Sequence, residues 1–472
     1  MALHDKAAFD RAAFATAFED RISETADACV GCGKCFEACP ITAPAGLADF
    51  NGEMITTGVR SLLSGGEWPD VSAKWAQACI LSGDCIKVCD YGVNPRLMLS
   101  MARMKLSETD SEPKARRGNG VKAFAKLGRD IKVLSRIQLD DAQLARLGQS
   151  SAPAPNQDSH QNPTLNPGAS NSSSESGTTA SVPPDVVLYT GCNVLKTPHI
   201  ALLSLDILDA LDVSYRVLGG PSHCCGILQY RSGDMEVASR MGAATIDKFV
   251  ATGAIEVLAW CPSCQVQFSE INLPNYAAAT SLKPIDFTPY MLFLKARLEK
   301  LTTRFINPVP MRVALHAHPG VDGVPDAARA LLRAVPGVEL IELGVPEVGL
   351  MSNSLRPLPQ YQRELQRKEL QAAANHGVDA LAAVYHADHR ELCAHEGEQP
   401  FAIVNVLEII AASMGLHQTD RYKQLKLKQD ADAILDDCAD LIAHHAVPEA
   451  AAREVVTTAM LSDQPLPLQG KA

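Results

Sequence analysis

No window of the 472-residue chain offers about 18 uninterrupted apolar residues, the minimum for a membrane-spanning helix. The nearest approach, Phe401 to Leu416, is broken by Asn405 and Glu408 and reads as a core segment. The N-terminus also lacks the apolar stretch of a signal peptide, because Asp5, Lys6, Asp10 and Arg11 occupy it. A cytoplasmic protein is expected. A basic surplus is missing too: the net charge is −11, which argues against a nucleic-acid partner. Nor is there a dinucleotide fingerprint, since the G-x-G at Gly31 to Gly33 lies inside a run of cysteines. With 46% hydrophobic and 21% charged residues the composition is that of a soluble globular protein, and the length calls for two or three domains.

Cysteine is what the chain has in quantity. A secreted disulfide scaffold would be far shorter, so the 14 cysteines need another explanation. Twelve fall into tight groups and only Cys393 and Cys438 stand apart. In a reducing compartment such grouping points to metal or redox chemistry.

The chain divides on composition. Residues 1–28 have the spacing of an amphipathic helix, with Phe9, Phe14 and Phe18 recurring near the helical period. Residues 1–110 hold seven cysteines among Gly and Pro turns, as expected where metal replaces a large core. Within a helical extension over 111–148, the basic stretch Val121 to Ile137 is amphipathic. It reads as a solvated helix packed on the small domain; docking to a membrane surface or a partner is the alternative. Residues 149–184 are dense in Ser, Pro, Asn and Gly and cannot bury enough apolar surface to offset ordering, which makes them a flexible linker. Beyond it, strand-like and helical runs alternate in the rhythm of a parallel sheet covered by helices. The rhythm recurs at offsets of 123 to 125 residues, so 185–300 and 301–420 read as an internal duplication. The segment 421–472 should be helical.

Three cysteine constellations carry the chemistry. Cys29, Cys32, Cys35 and Cys39, followed by Pro40, form the C-x2-C-x2-C-x3-C-P run of bacterial ferredoxins, in which the fourth cysteine ligates the other cluster. Structural zinc is the bland reading, disfavoured by the terminal Cys-Pro. The second run, Cys79, Ser82, Cys85 and Cys89, follows the same template with Ser82 in place of the second cysteine. The crossed rule assigns Cys29, Cys32, Cys35 and Cys89 to a [4Fe–4S] cluster. It assigns Cys39, Cys79 and Cys85 to a second cluster whose fourth corner faces Ser82. That second site would be a three-iron cluster or a four-iron cluster with an oxygen ligand. The third constellation is Cys192, Cys224-Cys225-Gly226 and Cys261-Pro-Ser-Cys264. Each group follows a predicted strand end, so five thiolates should meet in one crevice. Five exceed what a cubane or a zinc tetrahedron needs.

The third arrangement resembles the cysteine-rich CCG domain of heterodisulfide reductase and related proteins. The whole chain is similar to a fusion of that enzyme's two-cluster subunit with its catalytic subunit, and to glycolate- and lactate-oxidase iron–sulfur subunits. The resemblance implies a small α-helical ferredoxin-type domain followed by a duplicated Rossmann-like α/β CCG domain. It also implies a noncubane [4Fe–4S] cluster on Cys192, Cys224, Cys225, Cys261 and Cys264, and a flavoprotein or other redox partner. The sequence departs from the family in the second repeat, which lacks a CCG. At the matching positions stand His316, Glu347 and the pair His386 and His389, with His318 and His395 nearby. Three imidazoles and a carboxylate would suit zinc or a mononuclear iron; a decayed site is the bland alternative. The leading functional expectation is an electron-transfer subunit between a flavoprotein and an acceptor. A catalytic thiol/disulfide oxidoreductase working at the single CCG cluster is the runner-up. A redox sensor with structural clusters is weaker still.

Overall fold

The structure, a computed structural model, describes residues 11–148, 182–281 and 285–468. Phe9 and residues 149–181 of the expected linker lie outside the described residues.

The N-terminal part is all helical. Helix Arg11–Ala28 buries Phe14, Phe18, Ile22 and Ala26, four residues apart in series, on a single face. Full burial of each large side chain is worth roughly 2 kcal/mol. That face seats the helix on helices Met235–Ala251 and Leu273–Thr280 of the α/β half. Arg21 adds hydrogen bonds to Asn275 (2.7 Å) and to the Glu270 carbonyl (2.7 Å). Helices Gly52–Leu63, Asp70–Ala78 and Pro95–Asp110 pack on one another. Asn51 and Asn94 cap the first and third by accepting from Met54 N and Leu97 N.

The basic helix runs Pro113–Arg136, and its partners differ from those expected. It packs chiefly on helix Ile227–Arg231, the turn Asn193–Lys196 and helix Glu449–Val455. The reason lies in its last two turns. Ile131, Val133, Leu134 and Ser135 are buried there, and the Lys126 ammonium pairs with buried Asp130 at 2.9 Å. The helix thus binds the α/β half to the C-terminal segment.

Two four-stranded parallel sheets follow. β1 (Val186–Gly191), β2 (Tyr215–Gly219), β3 (Glu256–Ala259) and β4 (Asp286–Pro289) are ordered β2-β1-β3-β4. β5 (Met311–His316), β6 (Val338–Ile341), β7 (Ala380–Ala383) and β8 (Ala402–Asn405) are ordered β6-β5-β7-β8. The pairing repeats as well, with Val186 opposite Tyr215 and Glu256, and Met311 opposite Val338 and Val313 opposite Ala380. β1 is buried along its whole length, as a central strand covered on both faces must be. In this order the direction of strand addition reverses between β1 and β3, and β5 and β7 meet the same way. That reversal opens a crevice at the strands' carboxyl ends. The strands β4 and β8, which periodicity did not reveal, are four residues each and close one edge of each sheet. The segment after Arg421 is a series of short helices. None of the described helices is long and apolar enough to cross a membrane.

Candidate functional site

All 14 cysteines are free thiols. The two N-terminal runs fold into matching loops. In the first, Gly31 and Gly33 take φ of 72° and 82° before the short helix Lys34–Glu37. In the second, Leu81 and Gly83 take 63° and 84° before Asp84–Lys87. A side chain on Gly33 would collide with the Gly52 and Glu53 backbone at 2.8 Å, so both φ and space demand glycine there. Leu81 adopts the left-handed region without that excuse, a conformation costing of order 1 kcal/mol that packing must hold. The loop geometry therefore persists although Ser82, 7% exposed, stands in the thiol position.

Cys29, Cys32, Cys35 and Cys89 line one small cavity. Burial, helped by the other three thiols, pushes Cys35 up to about 12. Cys39, Cys79 and Cys85 form the neighbouring group. Burial raises Cys39 to about 11, although the Trp75 indole N–H donates to its Sγ at 3.4 Å. Burial also raises Cys85, and the Cys79 and Cys39 thiols add to the rise. Such thiols do not ionise on their own at neutral pH; a cationic centre among them would make them do so.

The first α/β repeat gathers Cys192, Cys224, Cys225, Cys261 and Cys264, all buried, at the β1/β3 crevice. Cys192 follows β1 directly. Cys261 caps the short helix Pro262–Val266 after β3, with Pro262 preset for its first turn. Cys224 and Cys225 sit on a turn after β2 pinned through both carbonyls, which accept from Thr245 Oγ1 (3.0 Å) and Asn272 Nδ2 (2.9 Å). Gly226 ends that turn at φ 80°, where a side chain would meet the Ala238 carbonyl at 2.5 Å. Beneath lies Tyr189, edge-on to Phe249 and Phe268, its hydroxyl donating to the His223 carbonyl at 2.8 Å. The Cys225 and Cys264 sulfurs are 3.7 Å apart. Hydrogen bonding among the five splits their acidities. Cys224 is pushed down because Cys192 and Cys225 donate to it, and Cys261 because Cys264 does, with His386 beside it. Cys192, Cys225 and Cys264 go up. A tight, buried, mutually bonded set of thiols suits a polynuclear iron–sulfur group better than isolated structural cysteines. Cys393 and Cys438 lie in the core of the C-terminal half, away from these groups.

Arg96, which sequence reasoning passed over, joins the parts. Its guanidinium donates to Glu270 Oε1 (Nε at 3.1 Å, Nη2 at 2.5 Å), to the Gly320 carbonyl and to the Leu81 carbonyl (3.4 Å). Leu350 N also donates to the Ile80 carbonyl at 3.0 Å. The Ser82 loop is thus clasped by both repeats. Next to it a cavity of about 270 Å³ is lined by Leu81, Arg103, Tyr230, Ser263 and Glu270, between the Cys79–Cys85 loop and the Cys261–Cys264 turn.

The four second-repeat residues expected to share a metal do not converge. His316 bonds Glu369 (2.6 Å) and faces His318 (3.1 Å), while Glu347 pairs with Arg329. His386 reaches across to Cys261 in the first repeat. His389 bonds Asp420 at 2.6 Å in a separate buried group with His199 and Glu408. The helix that starts at His386 explains the separation: His386 and His389, three apart, project toward different neighbours. His318 and Asp388 meet His316 instead.

Residues 186–269 match the family described as the CCG cysteine-rich domain. That match and the thiol geometry define an iron–sulfur protein carrying a CCG domain. The chain is 23% identical over 348 residues to a subunit of the dihydromethanophenazine:CoB–CoM heterodisulfide reductase of Methanosarcina acetivorans, covering 67% of this chain and 75% of the relative. It is 23% identical over 350 residues to the same protein of Methanosarcina barkeri, with equal coverage. No solved structure matches. The chain thus carries a CCG cysteine-rich domain and is similar to these heterodisulfide reductase subunits over two thirds of its length.

Proposed function

We propose that this chain is the electron-carrying iron–sulfur subunit of a cytoplasmic heterodisulfide reductase-like complex, passing electrons between a flavoprotein partner and an acceptor. Cys29, Cys32, Cys35 and Cys89 would hold one ferredoxin-type [4Fe–4S] cluster. Cys39, Cys79 and Cys85, with Ser82 at the fourth corner, would hold a three- or four-iron cluster, and the five CCG-domain thiols a noncubane [4Fe–4S] cluster. Bound clusters supply reversible one-electron chemistry. The protein's part is to bury the thiols, fix their loops and keep the three groups in one body. The observation that carries this reading is the Arg96 junction, where the Ser82 loop, Glu270 and Gly320 meet. A clasp between the Ser82 loop and the half that bears the CCG thiols is what a relay needs and a set of independent structural sites does not.

The test is an anaerobic reductive titration followed by EPR. Three distinct paramagnetic centres with separable potentials are expected, and a single centre would overturn the relay. A second reading, a thiol/disulfide oxidoreductase, rests on the cavity beside Ser263, within the Cys-Pro-Ser-Cys turn. Turnover of a small disulfide with a reduced viologen dye would favour it.

A further inference from the structure

We propose that the second α/β repeat holds a mononuclear divalent transition-metal ion on His316, His318 and Asp388. One ligand-capable atom from each lies within 4.8 Å of the other two, and the residues are 6%, 5% and 0% exposed. They occupy the crevice that in the first repeat holds the thiols. His316 and His318 lie at the end of β5 as Cys192 does at the end of β1. Asp388 is in the helix after β7 as Cys264 is in the helix after β3.

The hydrogen bonds fix the chemistry. His318 Nδ1 lies 2.6 Å from the Val348 carbonyl, and His316 Nδ1 lies 2.6 Å from a Glu369 oxygen. Carbonyl and carboxylate oxygens only accept, so both Nδ1 atoms are donors. In the neutral rings each Nε2 then carries a lone pair, and these two atoms face each other at 3.1 Å. Asp388 Oδ1, which also accepts from Ser352 N at 2.8 Å, is a third acceptor 3.6 Å from His318 Nε2. The Ser352 hydroxyl has one proton for the two rings, at 3.2 and 3.5 Å. Acceptors converging out of water need a positive centre among them, a metal ion or a proton on one ring. Two nitrogens each about 2.0–2.1 Å from one ion sit roughly 3 Å apart, as these do.

An independent observation points the same way. Asp388 Oδ2 is buried without a hydrogen-bond partner, and so are both amide atoms of Gln366, itself 5% exposed. Gln366 lines the same cavity of about 70 Å³ onto which His316 and His318 open. The carboxylate and carbonyl behind the two rings are the outer contacts that orient metal-binding histidines. Two imidazoles and one carboxylate with an open side suit Zn²⁺ or Fe²⁺ and are too few and too hard for a cluster. The assignment stands apart from the electron-transfer reading, since none of its three residues is among the thiol groups' proposed ligands.

The test uses the full-length chain with its clusters, treated with a chelator, incubated anaerobically with Zn²⁺ alone or Fe²⁺ alone, and desalted. About one ion per chain beyond the iron that accompanies acid-labile sulfide is expected, and the better-retained metal identifies the site's preference. His318→Gln and Asp388→Asn should weaken that retention at least ~10-fold. X-ray absorption of the zinc-loaded wild type, which requires no variant to fold, should show only nitrogen and oxygen neighbours. No extra ion in the wild type would overturn the site and leave a protonated His316–His318 pair. Sulfur neighbours would overturn it by placing the metal among the thiols. Loss in His389→Gln with retention in His318→Gln would overturn it in favour of the group around Asp420.

Discussion

The two α/β repeats share strand order, strand direction and crevice, yet they fill that crevice with opposite chemistry. The first gathers five soft, polarisable thiols above a floor of aromatic rings. The second gathers two imidazoles and a carboxylate against Ser352 and Glu369. Even the turn survives the change: Gly349 keeps φ at 85° where Gly226 has 80°, although Glu347 and Val348 replace the paired cysteines. Backbone architecture is retained because it is set by strand packing and tight turns. The side chains at the strand ends are buried in both repeats, yet they differ in kind. A duplicated frame can therefore present thiols in one crevice and imidazoles and a carboxylate in its twin.

Truncating the central strands should give the largest effects and test whether the repeats are structural equals. Leu188→Ala in β1 and Leu381→Ala in β7 each empty a fully packed position (1% and 0% exposed) and should each cost ~2–5 kcal/mol. Denaturant unfolding checks this; a large cost in one repeat alone would break the equivalence. Removing the clasp between them comes next. Arg96→Met leaves Glu270, 12% exposed, with Asn94 as its remaining side-chain partner, and should cost ~3 kcal/mol. A lowered unfolding midpoint and faster proteolysis between the halves are the readouts.

Two buried ionisable groups, one beside each crevice, should show opposite pH signatures. Burial lowers Lys196 to about 8, so its folded value lies below the unfolded 10.5. Its penalty is full below pH 8 and gone above 10.5. Lys196→Met should therefore stabilise at neutral pH, by on the order of 2–3 kcal/mol, and lose that advantage from pH 8 to 10.5. Burial raises Glu391 to about 8, above its unfolded 4.5. The stability it contributes is present below pH 4.5 and lost as pH rises through 8, so Glu391→Gln should gain on the wild type over that range. Unfolding measured across pH for the two variants should give slopes of opposite sign. The smallest effect on stability, within ~0.5 kcal/mol, is expected for Ser82→Cys, because the loop already holds the cysteine geometry. Its signature is spectroscopic: the EPR of one centre should change while the others stay as they were.

Much of this was legible in the sequence because cysteine spacing and strand periodicity are local signals. The three thiol groups, the duplication and the helix carrying Phe14 and Phe18 could be read directly. What escaped depended on distant contacts. Arg96 and Glu270 are 174 residues apart and carry no pattern of their own. The short strands β4 and β8 are too brief for alternation to show. In the second repeat, matching offsets selected His386 and His389, because cysteine numbering was projected onto a helix that begins at His386. The H-x-H at His316 and His318 and the acid inside His386-Ala-Asp388-His389 were the available signals.

The most direct test of the central claim is iron and acid-labile sulfide per chain, anaerobically reconstituted, in the wild type and in Cys225→Ser. Two ferredoxin-type clusters and one four-iron site predict ~11–12 irons, falling by ~4 in the variant. A wild-type value near four, or an unchanged count in Cys225→Ser, would contradict a third cluster held by the first repeat.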